Sequence, residues 1–246
     1  YEATIYKSRL RKIKAWLLFN YIAKQAYKKA NYIIAVGEEL KGSLIKKDIN
    51  SEKIYVLPQP FNKTNFSPTS FVKKQKIKKS IGLNSDKKTL LFVGRLSWLK
   101  GADRLLKIIK DVSRRSNKFQ LLLVGNGDYK ERFNKFPKEL VFMAGNISRQ
   151  DIYKYYQASD LLIFPSRTEG LPNVILEALA AKLPIIASPV GDIPNWVTKL
   201  ATYPKEYVDY ILSEDWNLDY FPKQFEYENL KDKYLKLFEE IINSSK

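Results

Sequence analysis

An α/β fold built on a doubly wound parallel sheet is predicted by three features of the sequence. From about residue 31 onward, short apolar runs alternate strictly with segments of helical periodicity, the pattern of consecutive β-α-β units. The runs are nearly continuous in apolar residues, as strands buried on both faces must be. The 246 residues are 45% apolar and 28% charged. That is enough for a sizeable core in one or two domains, and it excludes disordered, collagenous and low-complexity classes.

A basic helix comes first. Its apolar stretch, Ala15 to Ala23, is nine residues long and holds Asn20, short of the roughly 18 residues that a membrane span needs. No small-x-small cleavage site follows, so the stretch is read as part of a helix and not as a leader. Strands are predicted at Tyr32–Val36, Lys53–Leu57, Thr89–Val93, Phe119–Val124, Leu140–Ala144, Asp160–Phe164 and Pro184–Ala187. Helices are predicted between them at Glu38–Lys47, Ala102–Arg115, Arg149–Gln157 and Pro172–Lys182. Ser148 and Asp151 have the spacing of a capping box. A last helix, Lys223–Ile242, carries Leu230, Tyr234, Leu237, Phe238 and Ile241 at helical spacing. Residues 58–88, with Pro58, Pro60, Pro68 and the lysines of 73–79, read as a connector. The organisation expected is therefore 1–66 as the end of one α/β domain, 67–88 as a linker with a short helix, 89–222 as a Rossmann-like domain and 223–246 as a closing helix. Two strands make no stable sheet alone, so the first domain is expected to be truncated. The chain opens on Tyr1 and its single methionine is Met143, which points to processing or truncation.

There is no cysteine and no histidine. Disulfides, thiolate metal sites, cysteine nucleophiles, histidine bases and Ser-His triads are excluded from this chain. Chemistry must rest on carboxylates, lysine, arginine, tyrosine, hydroxyls and backbone groups. The net charge of +17 is concentrated in residues 1–80, which hold 18 Lys and Arg against 5 Asp and Glu. Such asymmetry fits nucleic acid, an anionic membrane surface or a solvated basic face.

Ligands of open parallel sheets bind beyond the carboxyl ends of the strands, and three loops there are unusual. In Gly94–Gly101, Arg95 and Lys100 are either surface charge or an anion site; Lys100 precedes a helix start, where the dipole disfavours a cation. In the stretch Pro165–Ala181, Glu177 stands in an otherwise apolar helix. It is either satisfied on a narrow edge or free to accept sugar hydroxyls. Glu169 lies in the loop before it, as an ordinary loop carboxylate or a site residue. Val124-Gly125-Asn126-Gly127 opens like a dinucleotide fingerprint but has Lys130 where the third glycine belongs. It is read as a glycine turn that admits a flat ring.

These loops resemble the family 4 glycosyltransferases of the two-domain GT-B fold. The motifs are G-R-L-x-x-x-K-G at Gly94–Gly101, V-G-x-G at Val124–Gly127, P-S-x-x-E-G with a second Glu eight residues on at Pro165–Ala178, and G-x-x-P at Gly191–Pro194. The turn has Asp192 and Asn195 where the family often has Gly and Glu, and the loop after it is shortened near Thr198–Tyr203. The resemblance implies that Arg95 and Lys100 neutralise a donor diphosphate and that Glu169 contacts the donor sugar. These three form the expected catalytic set. It implies that Glu177 binds the ribose, that Gly170, Leu171, Pro172 and Asn173 face the phosphate or sugar, and that Gly125, Gly127, Gly145, Asn146 and Ile147 flank the base.

The activity implied is transfer of a hexosyl group from a UDP-, GDP- or ADP-linked sugar to a saccharide, lipid-linked sugar or glycolipid. Retention, a cytoplasmic site and no metal or other cofactor are expected; the sequence has no Asp-x-Asp. Residues 1–66 would be the end of an acceptor domain, so the chain alone is expected to bind donor without transferring it. The basic segment, with Trp16, Phe19, Tyr21 and Tyr27, carries the alternatives. A nucleic-acid module lacks any matching motif and is not expected. An anionic membrane surface meeting residues 8–29 and a solvated interdomain face both fit. Leu10, Ile13, Leu17 and Tyr21 have the spacing of packing residues.

Overall fold

The structure, a computed structural model, describes residues 9–244. They fall into two compact units, one made of residues up to Gln59 with those from Lys231 onward, the other of Pro60–Leu230.

The first unit contains α1 (Arg9–Lys29), β1 (Ile33–Ala35), α2 (Glu38–Ile45) and β2 (Ile54–Val56). The strands pair in parallel, Ile33 opposite Ile54 and Ala35 opposite Val56. A small core of Ile33, Ala35, Leu44, Ile49 and Ile54 is covered by Tyr27 and Ala30. α1 thus reaches this core through its carboxyl end. Leu17 and Tyr21, expected to pack, are 54% and 66% exposed, because they lie more than a turn before that contact. The side chains of Leu10, Ile13, Trp16 and Phe19 lie outside the described residues, as does residue 8. No described helix is long and apolar enough to cross a membrane.

The second unit runs α3 (Phe71–Ser80), β3 (Lys88–Val93), α4 (Ala102–Arg115), β4 (Phe119–Val124), α5 (Lys130–Phe133), β5 (Val141–Gly145), α6 (Tyr153–Gln157), β6 (Leu161–Phe164), α7 (Asn173–Ala180), β7 (Ile185–Ala187) and α8 (Pro204–Ser213). Its five strands are all parallel in the order β5-β4-β3-β6-β7. The side-chain period of 2 sorts each strand's residues onto two faces. Leu91, Val93, Leu122, Val124, Leu162 and Phe164 enter one core with Ile175 and Leu179 of α7. Leu90, Phe92, Leu121, Leu123, Leu161 and Ile163 enter the other with Leu105, Ile109 and Val112 of α4 and Tyr207 and Ile211 of α8. Both faces are covered, so the predicted doubly wound sheet is present. Burying each Leu, Ile or Phe contributes about 1.5–3 kcal/mol.

Four local expectations are corrected. α6 starts at Tyr153, not Arg149, and Ser148 caps nothing. Its Oγ donates to Asp151 Oδ2 at 2.8 Å, while Lys154 Nζ holds Asp151 Oδ1 at 2.7 Å; the acid is taken by side chains. Pro172 is the extended residue before α7, not its first helical one. The last helix, α9, spans Tyr227–Ser244, after a short 3-10 turn at Lys223–Phe225. The lysines of 73–79, read as part of a connector, lie on α3 and two of them are paired. Lys78 is 2% exposed and bonds Asp160 Oδ2 at 2.8 Å, and Lys74 bonds Asp160 Oδ1 at 2.9 Å. In the first unit, Tyr234 on α9 donates to the carbonyls of Leu57 and Pro58 at 3.3 and 3.2 Å.

Candidate functional site

The order β5-β4-β3-β6-β7 reverses between β3 and β6. At such a switch point adjacent loops diverge to opposite faces and leave a crevice at the strands' carboxyl ends. The loops after β3 and β6 are Gly94–Gly101 and the stretch from Pro165 to Pro172, two of the three singled out in the sequence.

A cleft of about 740 Å³ opens at the loop after β3, within the size range of small-molecule sites; Lys100, Glu169, Gly170, Leu171, Pro172, Asn173 and Glu177 are not part of its lining. Its walls include Gly94, Arg95, Gly125, Gly127, Asn146 and Ile147, so the loops after β3, β4 and β5 meet there. Asn126 and Ile152, not expected as site residues, also line it. Gly145 does not line the cleft; its carbonyl accepts from the Gly125 N–H at 2.7 Å.

Lys100 and Glu169 join across the switch point. Lys100 Nζ donates to both carboxylate oxygens of Glu169, at 2.7 and 2.9 Å. The Glu169 side chain is 8% exposed and the Lys100 side chain 36%. The two loops are stitched together elsewhere as well. Arg167 donates its N–H to Leu99 O at 2.8 Å. Its guanidinium grips Asp103 at 2.7 and 2.8 Å, lies 4.2 Å from the Trp98 ring centre and donates to the Trp98 carbonyl. Burial raises the Asp103 pKa, but Arg167 overrides it and holds the carboxyl below its ordinary range. Close approach explains two glycines. A Cβ on Gly101, which has φ +75°, would stand 2.0 Å from Pro165 O; one on Gly191, φ +60°, would stand 2.3 Å from Gly170 O. The Gly191 turn thereby buttresses the Glu169 loop, with Asp192 N donating to Gly170 O at 3.1 Å.

Beyond Gly170, Leu171 packs against the core and α7 begins at Asn173 with no side-chain cap. Its first N–H groups and the helix dipole suit an anion. One turn on, Glu177 accepts a hydrogen bond at Oε2 from the hydroxyl of Tyr156. Burial pushes the Glu177 pKa up, opposed by that bond and by the charge of Arg149. Burial and the Glu177 charge push the Tyr156 hydroxyl well above its ordinary value.

The sequence reading missed Arg167, Arg149 and Tyr156. A buried tyrosine hydroxyl needs a partner, and so does a carboxylate in an apolar helix. Nothing in a linear pattern pairs positions 156 and 177. Chemically, the cleft presents a cation, Arg95, and glycine walls, while the two carboxylates outside its lining are engaged, Glu169 with Lys100 and Glu177 with Tyr156.

Residues 73–203, more than half of the chain, match the profile of the family described as glycosyl transferases group 1. An uncharacterized glycosyltransferase of Methanocaldococcus jannaschii is 30% identical over 201 residues, 75% of this chain and 51% of that protein. A GDP-mannose-dependent monoacylated alpha-(1-6)-phosphatidylinositol monomannoside mannosyltransferase of Corynebacterium glutamicum is 30% identical over 58% of this chain and 40% of its own. The chain spans about half the length of the curated relatives it matches. Among solved structures, Anabaena HepE in complex with UDP-glucose superposes with a TM-score of 0.69 at 22% identity, over 79% of this chain and 57% of its own. Fold, motif loops and profile agree, and the chain belongs to the glycosyl transferases group 1 family.

Proposed function

We propose that the second unit is the donor-binding half of a glycosyltransferase, which moves a hexosyl group from a nucleotide-diphosphate sugar to a saccharide or lipid-linked acceptor. The observation that carries this reading is the Lys100–Glu169 pair at the switch point, with Lys100 on the same loop as Arg95, which lines the cleft. A leaving diphosphate accumulates negative charge. Arg95, Lys100 and the start of α7 would neutralise it by preorganised electrostatics, in a reaction proposed to need no metal ion. Glu169 would hold sugar hydroxyls so that departure and attack share one face, giving retention. Glu177 would take the ribose hydroxyls, and the glycine turn at Gly125 and Gly127 would admit the base. The UDP-glucose bound by Anabaena HepE and the GDP-mannose dependence of the Corynebacterium enzyme support a nucleotide-sugar donor without choosing the base.

The test is titration calorimetry of UDP, GDP and ADP on the parent and on Lys100→Ala. The variant is expected to lose about 1.5–3 kcal/mol toward the best of the three, the range for a hydrogen bond to a charged group. Equal affinities would remove Lys100 from the phosphate site.

A further inference from the structure

Glu177 is the one charged side chain of α7, whose eight residues read NVILEALA. It is half-buried, whereas Tyr156 is 1% exposed. The carboxylate thus lies at the border of the dry interior, and its hydrogen bond comes from the dry side. Tyr156 is itself fixed: it stands on α6, and its ring meets Phe66 edge-on at 5.5 Å. A carboxylate has about four acceptor positions, and the hydroxyl occupies one of them at Oε2. Arg149, whose charge Glu177 feels, belongs to the 145–152 segment that also supplies Asn146, Ile147 and Ile152 to the cleft. A tyrosine needed only to fill the core would do so equally well as phenylalanine. The hydroxyl does something further: it fixes which oxygen, and which rotamer, the carboxylate presents.

We propose that Tyr156 is a positioning residue: by tying Oε2 of Glu177 from inside the core, it presents the other oxygen to the vicinal hydroxyls of a ribose and makes the site select ribonucleotides over nucleotides that lack both hydroxyls. This rests on the reading of Glu177 as the ribose acceptor. Both oxygens of a free carboxylate exchange by rotation, so a bidentate or vicinal contact must first immobilise it. The buried hydroxyl does this before the ligand arrives, and the effect is confined to ligands that carry the hydroxyls.

The experiment is calorimetry on the whole chain with the best-bound of UDP, GDP and ADP and with its 2′,3′-dideoxy counterpart. The parent is expected to prefer the ribonucleotide at least tenfold. Tyr156→Phe should cut that preference at least fivefold while leaving the dideoxy affinity within about twofold, since the lost hydrogen bond acts only through Glu177. Equal weakening toward both ligands, or an unchanged preference, overturns the positioning role. Glu177→Gln separates the two layers: if the parent shows a preference that this variant keeps, the ribose reading of Glu177 itself fails. Should Tyr156→Phe not fold, the contrast is read on parent protein carrying ¹³Cζ-tyrosine. The resonance that moves in Glu177→Gln must also move with the ribonucleotide and stay still with the dideoxy form; a resonance that moves equally with both overturns the proposal.

Discussion

Lys100 and Glu169 illustrate how a contact changes what a residue is expected to do. Taken singly, Lys100 is a phosphate ligand and Glu169 a sugar ligand, and removing Glu169 would leave a nucleoside diphosphate unaffected. Their bidentate pairing at 2.7 and 2.9 Å makes Glu169 a competitor of the diphosphate for the Lys100 ammonium. The Lys100 ammonium, with three hydrogens to donate, contacts both carboxylate oxygens. Glu169→Ala should therefore raise the affinity for the nucleoside diphosphate by about three- to tenfold, on the order of 1 kcal/mol for a partly exposed pair. The same variant should lose the extra affinity of the nucleotide sugar. Calorimetry with both ligands measures the two changes, and a diphosphate affinity that falls would mean that Glu169 helps to orient Lys100. The residue scale is also where Arg167 escapes a linear reading. Its partners Trp98 and Asp103 come from the other loop.

The elements are held in register by an ion network far from the cleft. Asp160, at the foot of β6, bonds Lys74 and Lys78 of α3 and accepts from Thr89 N of β3 at 2.8 Å. Burial would raise its pKa; the two lysines and the backbone donor overcome this, and the carboxyl is held below its ordinary value of 3.8. A depressed pKa contributes stability that is complete above the unfolded value and is lost as pH falls through the folded one. The parent should thus lose this increment below about pH 4, and Asp160→Asn should lack that part of the pH dependence. Asp160→Ala leaves Lys78 buried without its counter-charge, at a cost of about 3–5 kcal/mol. Urea unfolding of parent and variants between pH 3 and 7 provides the check; a stability loss under 1 kcal/mol for Asp160→Ala would show that water reaches Lys78. Helix α8 belongs to this scale too. It was not anticipated from the sequence, yet Tyr207, Val208 and Ile211 complete one of the two cores.

At the scale of the whole molecule, donor binding is proposed for one unit alone. Every residue proposed to touch the donor lies within Pro60–Leu230, whereas the chain spans about half the length of its curated relatives. Transfer needs donor and acceptor held together, and such orientation is worth roughly 7–11 kcal/mol of barrier. We expect the 246-residue chain to bind a nucleotide sugar while consuming it no faster than spontaneous hydrolysis with any acceptor. A donor-consumption assay with saccharide and glycolipid acceptors tests this, and acceptor-dependent turnover would place the acceptor wall within these residues.

By itself, the sequence determined the class of fold and singled out the loops now proposed as the site. Seven apolar runs became seven parallel strands, since continuous burial is written into composition and period. The site loops were legible because glycines, charges and prolines cluster where strands end. What only the tertiary structure decided were pairings between distant positions: Lys100 with Glu169, Arg167 with Asp103, Tyr156 with Glu177, and Lys74 and Lys78 with Asp160. A local pattern reports which face a residue takes along its own element. Which charge or hydroxyl it meets depends on strand order, and in a sheet ordered β5-β4-β3-β6-β7 neighbours in space lie tens of residues apart in the chain.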